Sequence, residues 1–544
     1  MSSLVAAFCR VKPLPSTVHT PSSPSSSLKR CLTTFDLICY GVGCSVGAGV
    51  YSLIGIGAEI TGPAISISFL IGGISCIFTS LTYSEFSARV PITGSAYTFV
   101  YVTFGELAAW LIGWNLTLGY GISSAGIARS WASYVTMFLK QFGVHVPMSW
   151  VALDLGLPSP GSAIAAILIL VLSAILLAGV HESAKFNAAV TALNIAVLLL
   201  VISVGSFEVE LSNWEPFAPE GVHGIMQGAG VIFFSYLGFD MVACLAEEVP
   251  DPQKNVPRGI IGSLLISMSI YVGVSLVVTG MAPVSVLGNQ IPLVNAFEAH
   301  GLTWVCHIIS FGSMFGLTTA AFTCLMGQPR IFYQMSKDVL DLHQFNLIGL
   351  LPPSLKRLHA TTRVPYWSTI ITGLMVAVIA YFFDLDFLAN VISCGTLMVF
   401  TFVNAGVLEL RFNAEVPNSV ISFPLRNFSF VASSFFLSFS LVWSSHISLQ
   451  IVSGLLVIVS FLSLLGGRPR PLSPKDAGAF QCPWVPLIPC LGIFCNVYMM
   501  SSLPLSAWLG VFVWMFLGMS VYLCYGMHHS VLRNTFAFEQ SPLL

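Results

Sequence analysis

The sequence predicts an all-α polytopic membrane protein of about fourteen transmembrane helices, arranged as a 5+5 inverted repeat followed by four added helices. Three observations predict it. Of the 544 residues, 56% are hydrophobic and 8% charged, against about 25% charged in soluble domains; mean hydropathy is +0.86. The chain divides into apolar stretches near the ~20 residues that a bilayer core requires. The first and sixth of these stretches, five apart, are both interrupted by glycine, the sequence sign of a secondary transporter built from inverted repeats.

Residues 1–33 are expected as a disordered cytosolic tail. They contain the Ser/Pro-rich run "STVHTPSSPSSS", and no acidic residue occurs in the first thirty. There is no compact apolar core of a secretory signal, although the composition loosely resembles a plastid or mitochondrial transit peptide. Residues 34–412 supply ten helices, centred near Gly47, Ile74, Leu116, Leu170, Ala196, Phe234, Val272, Thr318, Ala377 and Leu397. Residues 413–530 supply four more, near Phe436, Val457, Phe494 and Trp514, and 531–544 form a short tail. With both termini cytosolic, all of the 21 Lys and Arg except Arg129 and Lys140 fall in the tails or internal gaps, which is a strong positive-inside bias.

The first stretch reads "YGVGCSVGAGVYSLIG" (Tyr40–Gly55) and the sixth "GVIFFSYLGFDMVAC" (Gly230–Cys244). Glycine in a helix interior costs about 1 kcal/mol relative to alanine. Unpaired backbone in hydrocarbon is tolerated where it lines a cavity. Unwinding at Gly47-Ala48-Gly49 frees N–H groups beside a half-helix N-terminus, which suits a carboxylate. Unwinding at "SYLG" frees carbonyls, which suit an ammonium. Together they read the zwitterion of an α-amino acid. The competing reading is that these glycines merely allow close helix packing.

Several motifs in order carry a family resemblance: "KRCLTTFDLICYGVGCSVGAGVY", "SEFSARVPITGSAYTFVYVTFGEL", "GWNLTLGY", "FFSYLGFDMVACLAEEVPDPQKNVPRGI", "GQPRIFYQMSKD", "VPLIPCLGIFCNVYMM" and "YGMHHSVL". From about Arg30 to Leu532 the chain resembles a cationic amino acid transporter of the amino acid–polyamine–organocation (APC) superfamily. The resemblance implies a LeuT-like fold with helices 1 and 6 unwound at mid-membrane, alternating access, and arginine, lysine or ornithine as substrate, moved by facilitated, potential-driven transport. It places the substrate carboxylate on the backbone of Gly47, Ala48 and Gly49. The ammonium falls on carbonyls near Ser45, Phe234, Ser235 and Leu237, with Gly238 in the same unwound segment. Phe234 would also cover the substrate. Cys324 aligns with methionine in relatives for small neutral substrates and serine in animal cationic transporters. It would therefore face the substrate side chain, with Thr318, Thr319 and Thr323 nearby; helix packing is the alternative.

Candidate gating and coupling residues follow. Asp240 lies behind the sixth break and either titrates or gates during the cycle, or is a structural carboxylate. Glu85 and Arg89 form either a cytoplasmic gate pair or an interfacial anchor. Arg129 is expected to snorkel outward, and Glu247 and Glu248 to lie in a cytosolic loop. Asn194 stands where many proton-coupled relatives carry lysine, and Asn115 and Gly119 stand where they carry acids. Asparagine does not exchange a proton near neutral pH, which argues against that coupling.

No triad, P-loop, nucleotide fingerprint or metal cluster is present in the sequence, so no enzyme, cofactor or metal is expected. The thirteen cysteines are scattered, and the net charge of −2 gives no reason to expect nucleic acid. The partners implied are a small-molecule amino acid and the lipid bilayer; no protein partner is evident. A proton-coupled permease for neutral amino acids or polyamines, or a transporter-like sensor, are the alternatives. The terminal "EQSPLL" (Glu539–Leu544) resembles an acidic dileucine sorting signal, which leaves a plasma membrane or a vacuolar/lysosomal membrane as destinations.

Overall fold

A computed structural model describes residues 32–90, 94–153, 160–179, 184–288, 290–337, 350–359, 364–412, 423–467 and 478–527. The two tails, with the "EQSPLL" segment, lie outside the described residues. Among those described, the protein is all-α, with two isolated bridges and no strand.

The first helix starts at Thr34, one residue after a capping box. Thr33 Oγ1 accepts from the Asp36 amide, and the Asp36 carboxylate accepts from the Thr33 amide, which satisfies two otherwise unpaired donors. This helix runs Thr34–Ser45, breaks, and resumes through Ala48–Tyr51 and Leu53–Thr61. The second is Ile65–Arg89. The third, Glu106–Thr117 and Ser123–Gln141, is joined by a π-helical turn over Leu118–Ile122. There the hydroxyls of Ser123 and Ser124 donate to the carbonyls of Gly119, Tyr120 and Gly121, taking up acceptors that the widened turn leaves loose.

The fourth and fifth helices are Ala163–Leu177 and Ala184–Gly205. The sixth begins as Gly221–Ile232, tightens into 3-10 turns over Phe233–Tyr236, breaks, and continues over Asp240–Glu248. The seventh to tenth are Pro252–Met281, Thr303–Lys337, Tyr366–Phe382 and Leu385–Phe412. The four that follow are Phe423–Trp443, Ile447–Leu465, Leu487–Ser501 and Leu505–Val521. Each expected centre falls in one of these helices or, for Gly47, in the break of the first. Nine described helices are long and apolar enough to cross a membrane, and three more are shorter apolar helices. Of the fourteen, the two not counted there on their own are the first helix, which is divided, and the third.

The packing exchanges symmetrically under a shift of five. Helices two and seven, three and eight, and four and nine pack on each other. The N-terminal half of the first lies on the seventh, and the N-terminal half of the sixth on the second. The first packs on the fifth as the sixth packs on the tenth, and the eighth on the fifth as the third on the tenth. These reciprocal contacts are what two superimposed five-helix repeats produce.

The last two helices are fastened to this core. Trp114 and Trp514 each donate the indole N–H to the other's carbonyl, at 2.9 and 3.2 Å, with the rings stacked at 5.0 Å. Trp110 donates to the Gly518 carbonyl at 2.9 Å. The twelfth helix turns Ile451, Leu455, Ile458 and Leu462, one face of a helix, outward. That inside-out apolarity matches a lipid surround.

Candidate functional site

The two breaks meet at the centre of the fold. A Cβ placed on Gly49 would lie 2.4 Å from Ser235 Cβ and 2.6 Å from Ser235 Cα. Gly238 adopts φ +129°, where side chains are disfavoured, and a Cβ there would lie 2.6 Å from Cys44 Cβ. These two glycines allow the broken helices to cross. Gly47 is different: a Cβ there would approach only Ala320 Cβ, at 3.0 Å. The two readings of the glycines therefore divide between positions. Gly49 and Gly238 are packing glycines, and Gly47 borders space beside the eighth helix.

Buried side chains hold the unwound backbone in shape. Tyr271 of the seventh helix directs its hydroxyl at the carbonyls of Ser45 (2.6 Å) and Ser235 (2.8 Å), one from each break. Asn194 of the fifth donates to the Val46 carbonyl at 2.8 Å and accepts from the Tyr51 hydroxyl. Tyr134 of the third donates to the Tyr51 carbonyl at 2.7 Å. A carbonyl has two lone pairs. That of Ser45 accepts from the Gly47 amide and shares the single Tyr271 proton with the Ser235 carbonyl, so it is the more heavily used of the two. The Ser235 carbonyl accepts from Tyr271 and the Phe234 carbonyl from the Leu237 amide, so each keeps a lone pair.

The Ser235 hydroxyl is buried and makes no hydrogen bond among the described residues. Leaving such a group unpaired costs about 1–3 kcal/mol, which a carboxylate beside Gly47–Gly49 would relieve. Phe234 is buried over the site; its amide donates to Ser393 at 3.0 Å, and its ring lies close to Gly126 of the third helix. Leu237, extended at ψ 138°, leads into Gly238.

Cys324 is buried one turn beyond Ala320, so it shares the face that borders Gly47. Its thiol lies near Ser123, just past the π turn. Thr318 and Thr323 donate their hydroxyl protons to carbonyls within their own helix, which leaves acceptor lone pairs; Thr319 is buried beside them. Asp240 is buried below the sixth break. One carboxylate oxygen accepts from Tyr120 at 3.0 Å, the other from the Gly238 amide at 3.2 Å.

Other candidates lie elsewhere. Glu85 and Arg89 do pair, at 2.7 Å, but beside Arg411 and Cys482 at the C-terminal end of the second helix, away from the breaks. Asn115 donates to the Gly395 carbonyl at 2.7 Å and serves the contact of the third and tenth helices. Gly119 faces Thr396 in the same contact. Arg129 binds the Pro160 carbonyl and borders a cavity of about 270 Å³ with Ser52, Ser130, Gln290 and Asp384. Glu248 pairs with Arg330 of the eighth helix at 3.4 Å; the side chain of Glu247 lies outside the described residues. Tyr271 and Tyr134 were not anticipated. The available signal was a tyrosine inside an apolar helix, whose buried hydroxyl needs a partner.

A family model described as amino acid permease matches residues 32–461, and one described as the C-terminus of the permease matches 480–530. The chain is 37% identical over 547 residues to cationic amino acid transporter 9, chloroplastic, of Arabidopsis thaliana, covering 96% of this chain and 93% of that protein. It is 35% identical over 538 residues to the methylthioribose transporter of Bacillus subtilis, covering 97% and 100%. It is 32% identical over 523 residues to a branched-chain amino acid permease of the same organism, covering 94% and 96%. Two broken helices meeting at the centre of the fold, and family matches over nearly the whole length, agree: this chain belongs to the amino acid permease family of membrane transporters and is not an enzyme.

Proposed function

We propose that the protein carries cationic amino acids (arginine, lysine and ornithine) by alternating access, as a facilitated transporter driven by membrane potential. One observation carries the reading. Asp240 is a buried intramembrane carboxylate, and no Lys or Arg among the described residues forms an ion pair with it. The bonds from Tyr120 and Gly238 engage both carboxylate oxygens, while burial disfavours a lone charge there. A buried charge without a counter-ion is costly, and a substrate cation would supply the missing partner. The named relatives for cationic amino acids support this, as does Asn194, which fastens the first break as a neutral group.

Asp240→Asn should lower arginine and lysine uptake at least tenfold relative to leucine, the order expected for one charge-assisted contact. The measurement is a competition panel in vesicles reconstituted with the protein. Equal losses for all three substrates, with reduced folding yield, would make Asp240 a structural carboxylate and overturn the reading.

The relatives that carry methylthioribose and branched-chain amino acids favour a second reading, a proton-coupled carrier of neutral substrates. Position 324 separates the two. Cys324→Met adds bulk on the face beside Gly47, so it should weaken arginine and lysine uptake several-fold more than alanine uptake. A proportional loss, or a native preference for alanine, would favour the neutral reading. The proposed destinations are a plasma membrane or a vacuolar/lysosomal membrane, with both termini cytosolic. Imaging a fusion tagged in an internal loop tests them.

A further inference from the structure

A groove of about 530 Å³ lies at the inner end of the seventh helix, between its first turns and the segment Gly478–Phe480. Lys254 and Arg258 line it, both exposed, and neither forms an ion pair among the described residues. No acidic residue lines it among the described residues. Gln253 adds one neutral polar group, and Pro257, Ile261 and Phe480 supply an apolar wall. Lys254, Arg258, Ile261 and Leu265 are spaced four, three and four residues apart, so they form one stripe on the helix. The stripe is cationic at the helix end and apolar one turn deeper, where Leu265 is 43% exposed.

We propose that this groove binds one anionic phospholipid of the inner leaflet, with its phosphate between Lys254 and Arg258 and an acyl chain along Ile261 and Leu265. Charge complementarity selects the headgroup, because two cations held without a counter-ion at the bilayer edge attract acidic lipids. The apolar continuation of the stripe selects a lipid over a free phosphate. The site bears on transport because the adjoining face of the same turns carries the first helix: Gly259 abuts Leu37, and Gly262, at the edge of the groove, abuts Ile38. A lipid clamped here would hold the seventh helix against the inner half of a helix that must move during alternating access.

The test uses purified full-length protein in neutral detergent, titrated with phosphatidylglycerol, phosphatidylcholine or inorganic phosphate, and read by native mass spectrometry and thermal stability. Neither readout depends on which substrate is carried. Phosphatidylglycerol should bind at one site and raise the melting temperature, and the other two should not. The double variant Lys254→Gln/Arg258→Gln should bind roughly thirtyfold more weakly, the value for two lost basic contacts. If the double variant fails to fold, Lys254→Arg/Arg258→Lys should retain binding and Ile261→Asp should lose it. Equal binding by the wild-type protein and the charge-removing variant, equal binding of phosphatidylcholine, or a matching effect of inorganic phosphate would each overturn the proposal.

Discussion

Gly47→Val is expected to abolish uptake of every amino acid while leaving a protein that folds and inserts, whereas Gly49→Val should lose folded protein as well. The two glycines are two residues apart and belong to one motif, yet their surroundings differ. At Gly49 the added Cβ meets Ser235 at 2.4 Å and backbone at 2.6 Å. Backbone cannot rotate away, so the broken helices must separate. Overpacking of this kind costs about 1–3 kcal/mol or more. At Gly47 the nearest atom is the Ala320 methyl, at 3.0 Å, and a small shift accommodates the first carbon. The two γ-methyls of valine then occupy the space beside Ala320 and Cys324, where the substrate is proposed to lie. Loss of the carboxylate contacts, at about 1.5–3 kcal/mol for each charge-assisted bond, puts uptake at least a hundredfold down. The check is uptake in vesicles paired with folded yield by size-exclusion profile and melting temperature. Normal uptake by a well-folded Gly47→Val protein would remove this segment from the binding site. A fully stable Gly49→Val protein would refute the packing role of that glycine.

This division shows what a sequence does and does not reveal. Two glycine-broken helices five apart were legible, because few contexts tolerate glycine, alanine and serine in mid-membrane. Which glycine faces a neighbour and which faces open space was not legible, because that depends on Ser235, almost two hundred residues away. The same holds for Asn194. Its neutral character could be read, but its role in bridging the Val46 carbonyl and the Tyr51 hydroxyl required the fold. Tyr271 was invisible for a related reason: in an apolar helix a tyrosine resembles any large filler until two carbonyls are found at its hydroxyl. The π turn of the third helix left a faint trace in the serines that follow it. The i,i+4 spacing of Glu85 and Arg89 was plain, but their third partner lies 326 residues from Glu85.

That third partner favours the anchor over the gate. Glu85 is fully buried, and both of its oxygens are doubly bonded. One accepts from Arg89 at 2.7 Å and Arg411 Nε at 2.9 Å, the other from Arg411 Nη2 at 2.7 Å and the Cys482 amide at 2.9 Å. Arg411 also donates to the Cys482 carbonyl at 2.9 Å. One carboxylate thus ties the second helix, the end of the tenth and the chain entering the thirteenth into a single knot. The fork of Arg411 fits a carboxylate in two parallel bonds, a geometry lysine cannot reproduce. Glu85→Gln would leave two largely buried guanidinium groups without their counter-charge. Breaking a buried pair in this way costs about 3–5 kcal/mol, a large part of the stability of a typical domain. The expected result is a steep fall in melting temperature and loosening of the last helices from the core, read as faster hydrogen exchange over 487–501. Arg411→Lys should give a smaller fall, because charge survives while the fork is lost. A gate predicts the opposite pattern: cutting Glu85 from Arg89 would raise transport or leak and leave stability nearly unchanged. A Glu85→Gln protein with wild-type melting behaviour and faster uptake would establish the gate, whereas loss of stability with uptake falling in proportion to folded protein would establish the anchor.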